Sequence, residues 1–103
     1  MNIPRKVRIS GADYEVVVKP GPVLVDGRQC CGSIEYEELR INIDSSFGAK
    51  ARHCQTFLHE VLHGIARDRQ LDFGDADEEV IVEAFARGLY QVLEDNPGIM
   101  RED

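Results

Sequence analysis

Basic residues are scarce in this chain. Twelve lysines and arginines stand against 19 aspartates and glutamates, a net charge of −7 over 103 residues. A partner held through nucleic-acid phosphates needs a basic surface, so none is expected beyond what a small patch at Arg5, Lys6 and Arg8 would hold. Long apolar runs are also lacking. No stretch is long enough to cross a bilayer, and Met1 to Lys6 lacks the apolar region of an export signal, so a cytoplasmic protein without a membrane partner is expected. The cysteines are only Cys30, Cys31 and Cys54. None forms a CxxC pair, which excludes a zinc knuckle, and an odd count with an adjacent pair points to reduced thiols. Internal repeats and low-complexity tracts are absent too.

What remains is an ordinary globular composition, 43% hydrophobic and 30% charged. Residues 1–103 suffice for one domain with a real core but leave no room for a second lobe. The first half, 1–48, reads as strands. Val7-Arg8-Ile9 and Tyr14 to Val18 flank a turn at Gly11-Ala12-Asp13, which suggests a hairpin. Pro20-Gly21-Pro22 breaks it. Val23-Leu24-Val25 reads as a short strand ended by Asp26-Gly27, and another passes through Cys31 to Ile34. Leu39 to Ile43 alternates apolar and polar residues, as a half-buried strand does. Asp44-Ser45-Ser46 offers turn or cap chemistry.

From about Ala49 the period changes. Phe57, Leu58, Val61, Leu62, Ile65 and Ala66 recur at helical spacing, predicting a helix over 49–68. A polar connection ends at Gly74. Asp75, Asp77, Glu78 and Glu79 then crowd the start of a second helix, where anions suit the macrodipole. Its expected apolar stripe is Val80, Ile81, Ala84, Phe85, Leu89, Val92 and Leu93, and Asn96-Pro97-Gly98 ends it. The tail, 98–103, is expected to fray. The predicted architecture is α+β: a small, twisted, mostly antiparallel sheet followed by two packed antiparallel helices.

Within the first helix stands His59-Glu60-Val61-Leu62-His63, an HExxH motif. Residues four apart share a helix face, so both imidazoles aim at one point where a divalent zinc ion would take two nitrogens. Glu60 projects nearby, within reach of a water on that ion. The surrounding residues are apolar, and polar groups buried there without partners are costly. A bound ion is one reason for them to be there; satisfied core histidines are the plainer one. Gly64 leaves space for a strand or for the metal side, or is incidental.

A catalytic zinc site uses three protein ligands and an open position. The HExxHxxGxxH pattern is absent, because Ala66 and Arg69 occupy its later positions. His53 lies on another face. With the helices antiparallel, two turns into the second helix falls near Glu83, the expected third ligand. Glu79, one turn earlier, is the reserve ligand or orients a histidine from outside. An acidic solvated face is the plain alternative for both, and Glu78 is expected to face solvent.

The HExxH helix followed by a helix bearing a glutamate resembles the gluzincin class of zinc peptidases. Glu83 follows His63 by twenty residues, the offset found in thermolysin, the best known of that class. The short chain and the stretch EVIVEAFARGLYQVLEDNP from Glu79 to Pro97 resemble compact phage and prophage proteins related to the ImmA/IrrE-type metallopeptidases, with a minimal zincin-like fold. The resemblance covers Leu39 to Pro97. It implies a zinc-dependent peptidase, or a peptidase-like protein, acting on a peptide or protein in a bacterial or phage setting. This chain lacks the substrate-binding lobe and DNA-binding domain of larger relatives.

The expected chemistry follows from these residues. His59, His63 and Glu83 bind zinc, and Glu60 takes a proton from water and returns it to the leaving amine. Tyr36 and Tyr90 are candidate oxyanion donors, or plain core and surface tyrosines. The strand Leu39–Ile43 or the segment Gly32–Ile34 would grip an extended peptide by its edge. Two other readings keep the same ligands: a metal-bearing module that regulates a partner by docking, and a structural zinc site closed by Glu79 or Cys54.

Overall fold

The computed structural model describes residues 1–46 and 48–101; Phe47 and the tail residues Glu102 and Asp103 lie outside the described residues. Among the described residues, six strands precede two helices: β1 (Lys6–Ile9), β2 (Ala12–Lys19), β3 (Val23–Val25), β4 (Arg28–Cys30), β5 (Gly32–Glu35), β6 (Arg40–Asp44), α1 (Lys50–Asp68) and α2 (Glu78–Asp95). The α+β expectation therefore holds.

The main sheet has the order β1-β2-β6-β5. β1–β2 and β5–β6 pair antiparallel, while β2 and β6 run parallel, with Val16 opposite Ile41 and Val18 opposite Ile43. The sheet is thus mixed. Residues 20–39 carry the chain back across before β6 enters beside β2, so that pair cannot be a simple hairpin. Within this excursion β3 and β4 form their own ribbon. Its turn residues Asp26 and Gly27 have φ of 51° and 78°, the doubly left-handed turn whose twist suits a two-residue hairpin. The β1–β2 turn is tighter than expected: Ser10 takes φ 54°, and Ala12 and Asp13 already belong to β2.

Period-two patterning sets the core. Ile41 and Ile43 of β6 are wholly buried on one sheet face, joined there by Ile9, Tyr14 and Val16. Phe57 and Leu58 bring α1 onto that face, and α2 packs on α1. α1 therefore lies between the sheet and α2. Asp77 caps α2 by accepting from the Glu79 amide at 2.9 Å, which satisfies one of the helix's first donors. Ala49 precedes α1 with no side-chain cap. Asp44 instead accepts from the amides of Gly21 and Ser46, tying the end of β6 to the loop after β2.

Two expectations need correction. The apolar stripe of α2 is rotated from its predicted place. Val82 (4% exposed) and Ala86 (0%) face α1, whereas Val80 (65%) and Phe85 (67%) face outward. The helix carries apolar residues on two faces, and the small, flat pair Val82 and Ala86 permits close approach to α1. Second, Leu39–Ile43 presents no edge, because β6 is paired on both sides; the edge strands of the main sheet are β1 and β5, and Gly32–Ile34 lies in β5.

Candidate metal centre

His59 and His63 project from successive turns of α1 toward α2. Their Nε2 atoms stand 3.1 Å apart. The Glu79 carboxylate of α2 meets both, with Oε2 3.0 Å from His59 Nε2 and Oε1 2.7 Å from His63 Nε2. These three side chains form a cluster able to hold a metal ion, their ligand atoms all within 4.8 Å of one another. The other ring nitrogens are also held. Glu83 Oε1 lies 3.2 Å from His59 Nδ1, and Glu78 Oε2 lies 2.7 Å from His63 Nδ1. Partners fall in number on α2 as they rise on α1, which is the antiparallel arrangement.

This pattern has a chemical consequence. An ionised carboxylate only accepts, so a neutral ring whose Nδ1 donates to Glu83 or Glu78 keeps its Nε2 as an acceptor. In the neutral imidazoles both Nε2 atoms are then left with lone pairs. Those lone pairs point at each other and at the Glu79 carboxylate. Such a cluster of acceptors requires a positive centre, either a proton or a cation. Tetrahedral zinc with bonds of about 2.0–2.1 Å to nitrogen puts neighbouring ligand atoms roughly 3.4 Å apart, close to the spacing of the two Nε2 atoms. The residues present fit the ion.

Glu60 borders the same cleft from the β5 side, its Oε2 beside Gly32. It is 7% exposed, and burial pushes its pKa up to about 7, opposed by the neighbouring His59 and His63. Space for it comes from Gly32 at the start of β5. A Cβ there would stand 3.3 Å from Glu60 Oε2, 3.0 Å from the Asn42 carbonyl and 2.6 Å from Thr56 Cγ2. Gly64 serves α1 similarly, since a Cβ would meet Ile9 Cδ1 at 2.8 Å and Ile34 Cδ1 at 3.0 Å. The strand alternative for Gly64 is the one realised. His63 is pulled in two directions. Burial disfavours its charged form, but the hydrogen bond to Glu78 and the charges of Glu79 and Glu60 outweigh it and raise its pKa.

A cleft of about 480 Å³ opens over this centre, lined by β5, by the end of the β3–β4 ribbon and by both helices. His59, Glu60, His63, Glu79 and Glu83 all border it. The geometry differs from the sequence expectation in three respects. Glu79, not Glu83, meets both Nε2 atoms, because it sits level with the pair while Glu83 is one turn farther along α2. Glu78 is turned to His63 rather than to solvent. Tyr36 and Tyr90 are not in the cleft: the Arg67 guanidinium covers the Tyr36 ring at 4.0 Å, and Tyr90 packs on the core with its hydroxyl on Glu94. Cys54 is buried against Met1 and does not join the cluster.

Sequence reasoning named Gly32 only as part of a peptide-gripping segment and missed that it leaves the room Glu60 occupies. Compared with known proteins, the chain matches no family model, no curated protein and no solved structure. What this geometry supports is a candidate metal site of His59, His63 and Glu79.

Proposed function

We propose that the chain is a zinc-dependent peptidase of gluzincin type, acting on peptides or proteins in a bacterial or phage cytoplasm. What supports this reading is the convergence of His59 Nε2, His63 Nε2 and Glu79 on one point, with the buried carboxylate of Glu60 on the next residue. His59, His63 and Glu79 hold the ion. Glu83 and Glu78 fix the imidazole rings by accepting from Nδ1, the outer contacts that orient metal-bound histidines.

When bound, zinc supplies Lewis acidity, polarising a carbonyl and easing the ionisation of water. Glu60 takes the proton from the attacking water and passes it to the departing amine. A pKa near 7 suits a group that must both accept and return a proton. The edge strand β5 borders the same cleft, so an extended peptide pairing with it would lie across the centre.

The test is elemental analysis joined to a peptide-library digest. The chain should carry one zinc, cleave peptides and stop when chelator is added. Glu60→Gln should keep the zinc and lose cleavage by at least 100-fold, and His63→Ala should lose the metal. Zinc uptake without cleavage of any peptide would make the chain a docking module. No zinc uptake would end the metal reading altogether.

A further inference from the structure

The cleft carries one contrast of charge that peptide hydrolysis does not use. In a chain of net charge −7, two arginines, Arg52 of α1 and Arg87 of α2, line the same cleft as the glutamates. Arg52 precedes His59 by seven residues, two turns along the same helix face, or about 10 Å. Arg87 follows Glu83 by one turn. Because the helices are antiparallel, both arginines fall at one end of the cleft, on the side of His59 away from His63. Arg52 Nη2 approaches Cys31 Sγ at 3.9 Å, beside the start of β5, and Arg87 Nη2 lies 3.5 Å from Glu83 Oε2.

We infer that Arg52 and Arg87 form a carboxylate-recognising subsite that selects peptides bearing an anionic group two or three residues from the bond to be cleaved. This rests on the peptidase reading above. An extended chain advances about 3.3 Å per residue, so an offset of two helical turns, about 10 Å along α1, matches about three residues of a peptide paired with β5. Guanidinium groups bind carboxylates through paired N–H donors, which a lysine cannot reproduce. Arg87 already shares charge with Glu83, and an incoming carboxylate would take the face of the guanidinium that Glu83 leaves open. The group recognised is a carboxylate, either an Asp or Glu side chain or a peptide C-terminus.

The experiment measures binding apart from turnover. Fluorescein-labelled hexapeptides of alanine and glycine, amidated at the C-terminus, carry one Glu or one Gln at each position in turn. A second set is neutral with a free C-terminal acid. Anisotropy is read with zinc-loaded Glu60→Gln, which cuts nothing, and with the wild-type chain in chelator, where no probe can rest on the metal. At one position, or with the free acid, the anionic probe should bind at least tenfold tighter than its neutral partner in both forms. Raising salt should weaken that preference. Arg52→Gln/Arg87→Gln should abolish it, and Arg52→Lys/Arg87→Lys should restore only part of it. Equal affinity for Glu and Gln probes at every position, preference for neither acid, or no measurable binding would overturn the inference. A persistent acidic preference in a chain that cleaves nothing would leave the subsite standing and sink the peptidase reading instead.

Discussion

The Nε2 atoms of His59 and His63 face each other across 3.1 Å, while each ring's Nδ1 is held by a different glutamate of α2. The rings are thus oriented from behind, and their open nitrogens share one position with Glu79. This arrangement gives three glutamates different places from those the sequence reading assigned, which were Glu83 as ligand, Glu79 in reserve and Glu78 toward solvent.

Glu79 and Glu83 should therefore respond differently to removal. On the proposed zinc reading, Glu79→Ala deletes a ligand and should weaken zinc binding by well over 100-fold. Glu83→Ala deletes an outer contact to His59 and should cost about 10–100-fold. Competition against a chromogenic chelator measures both. A larger loss at Glu83 than at Glu79 would return the ligand role to Glu83, where the twenty-residue offset had put it.

Metal-free stability should depend on pH through Glu60. Its pKa is raised from 4.5 to about 7 by burial, so the folded chain binds a proton more tightly than the unfolded one. That contribution is fully present below pH 4.5 and is lost as pH rises through 7. The size is on the order of 3 kcal/mol at most, from the conversion of pKa units to free energy. Urea melts of the chelated chain should fall in midpoint across this window, and Glu60→Gln should flatten the slope. An unchanged slope in the variant would show that the carboxylate is not buried as described.

Much of the fold was legible because its signals are local. Alternation exposed β6, helical spacing exposed α1, and the acidic cluster before Val80 marked the start of α2. The parallel pairing of β2 with β6 was not, since nothing in either strand names its partner. Nor was the rotation of α2. Val80, Ile81, Phe85 and Leu89 form as good a stripe as Val82 and Ala86, with Leu93, correctly expected, packed on the core, and only the contact with α1 chooses. Val82→Ala should thus cost about 1–3 kcal/mol, while Val80→Ala, on the solvent face, should stay within about 0.5 kcal/mol. Equilibrium denaturation of the two variants reads this directly.

The site divides in the same way. His59, Glu60 and His63 were visible because the motif's spacing alone puts the two imidazoles on one face. The third ligand depended on the level at which two helices meet, and a one-turn error in that estimate exchanges Glu83 for Glu79. Tyr36 and Tyr90 were proposed from residue type alone, with no spacing to test them. Tyr36→Phe and Tyr90→Phe should each keep kcat/KM within about threefold, well short of the 100-fold or more expected for removing an oxyanion donor. A 100-fold loss in either, with zinc retained, would mean that the cleft closes over that hydroxyl when substrate binds.

Two glycines inside helices give the sharpest test of how α1 meets the sheet. Glycine costs about 1 kcal/mol relative to alanine in a helix interior. At Gly88 a Cβ would meet nothing within 4 Å, so Gly88→Ala should recover that amount. At Gly64 the Cβ would stand 2.8 Å from Ile9 Cδ1 and 3.0 Å from Ile34 Cδ1, and both methyl groups must move within packed surroundings. Overpacking of this kind costs roughly 1–3 kcal/mol, enough to cancel or exceed the helical gain. Gly64→Ala should therefore be net destabilising by about 1 kcal/mol, with opposite sign to Gly88→Ala. Because Gly64 follows His63, the displacement of α1 should also loosen the metal centre, lowering zinc affinity several-fold in Gly64→Ala and not at all in Gly88→Ala. Equal stabilisation by both substitutions would mean that α1 stands farther from β1 and β5 than the core contacts require.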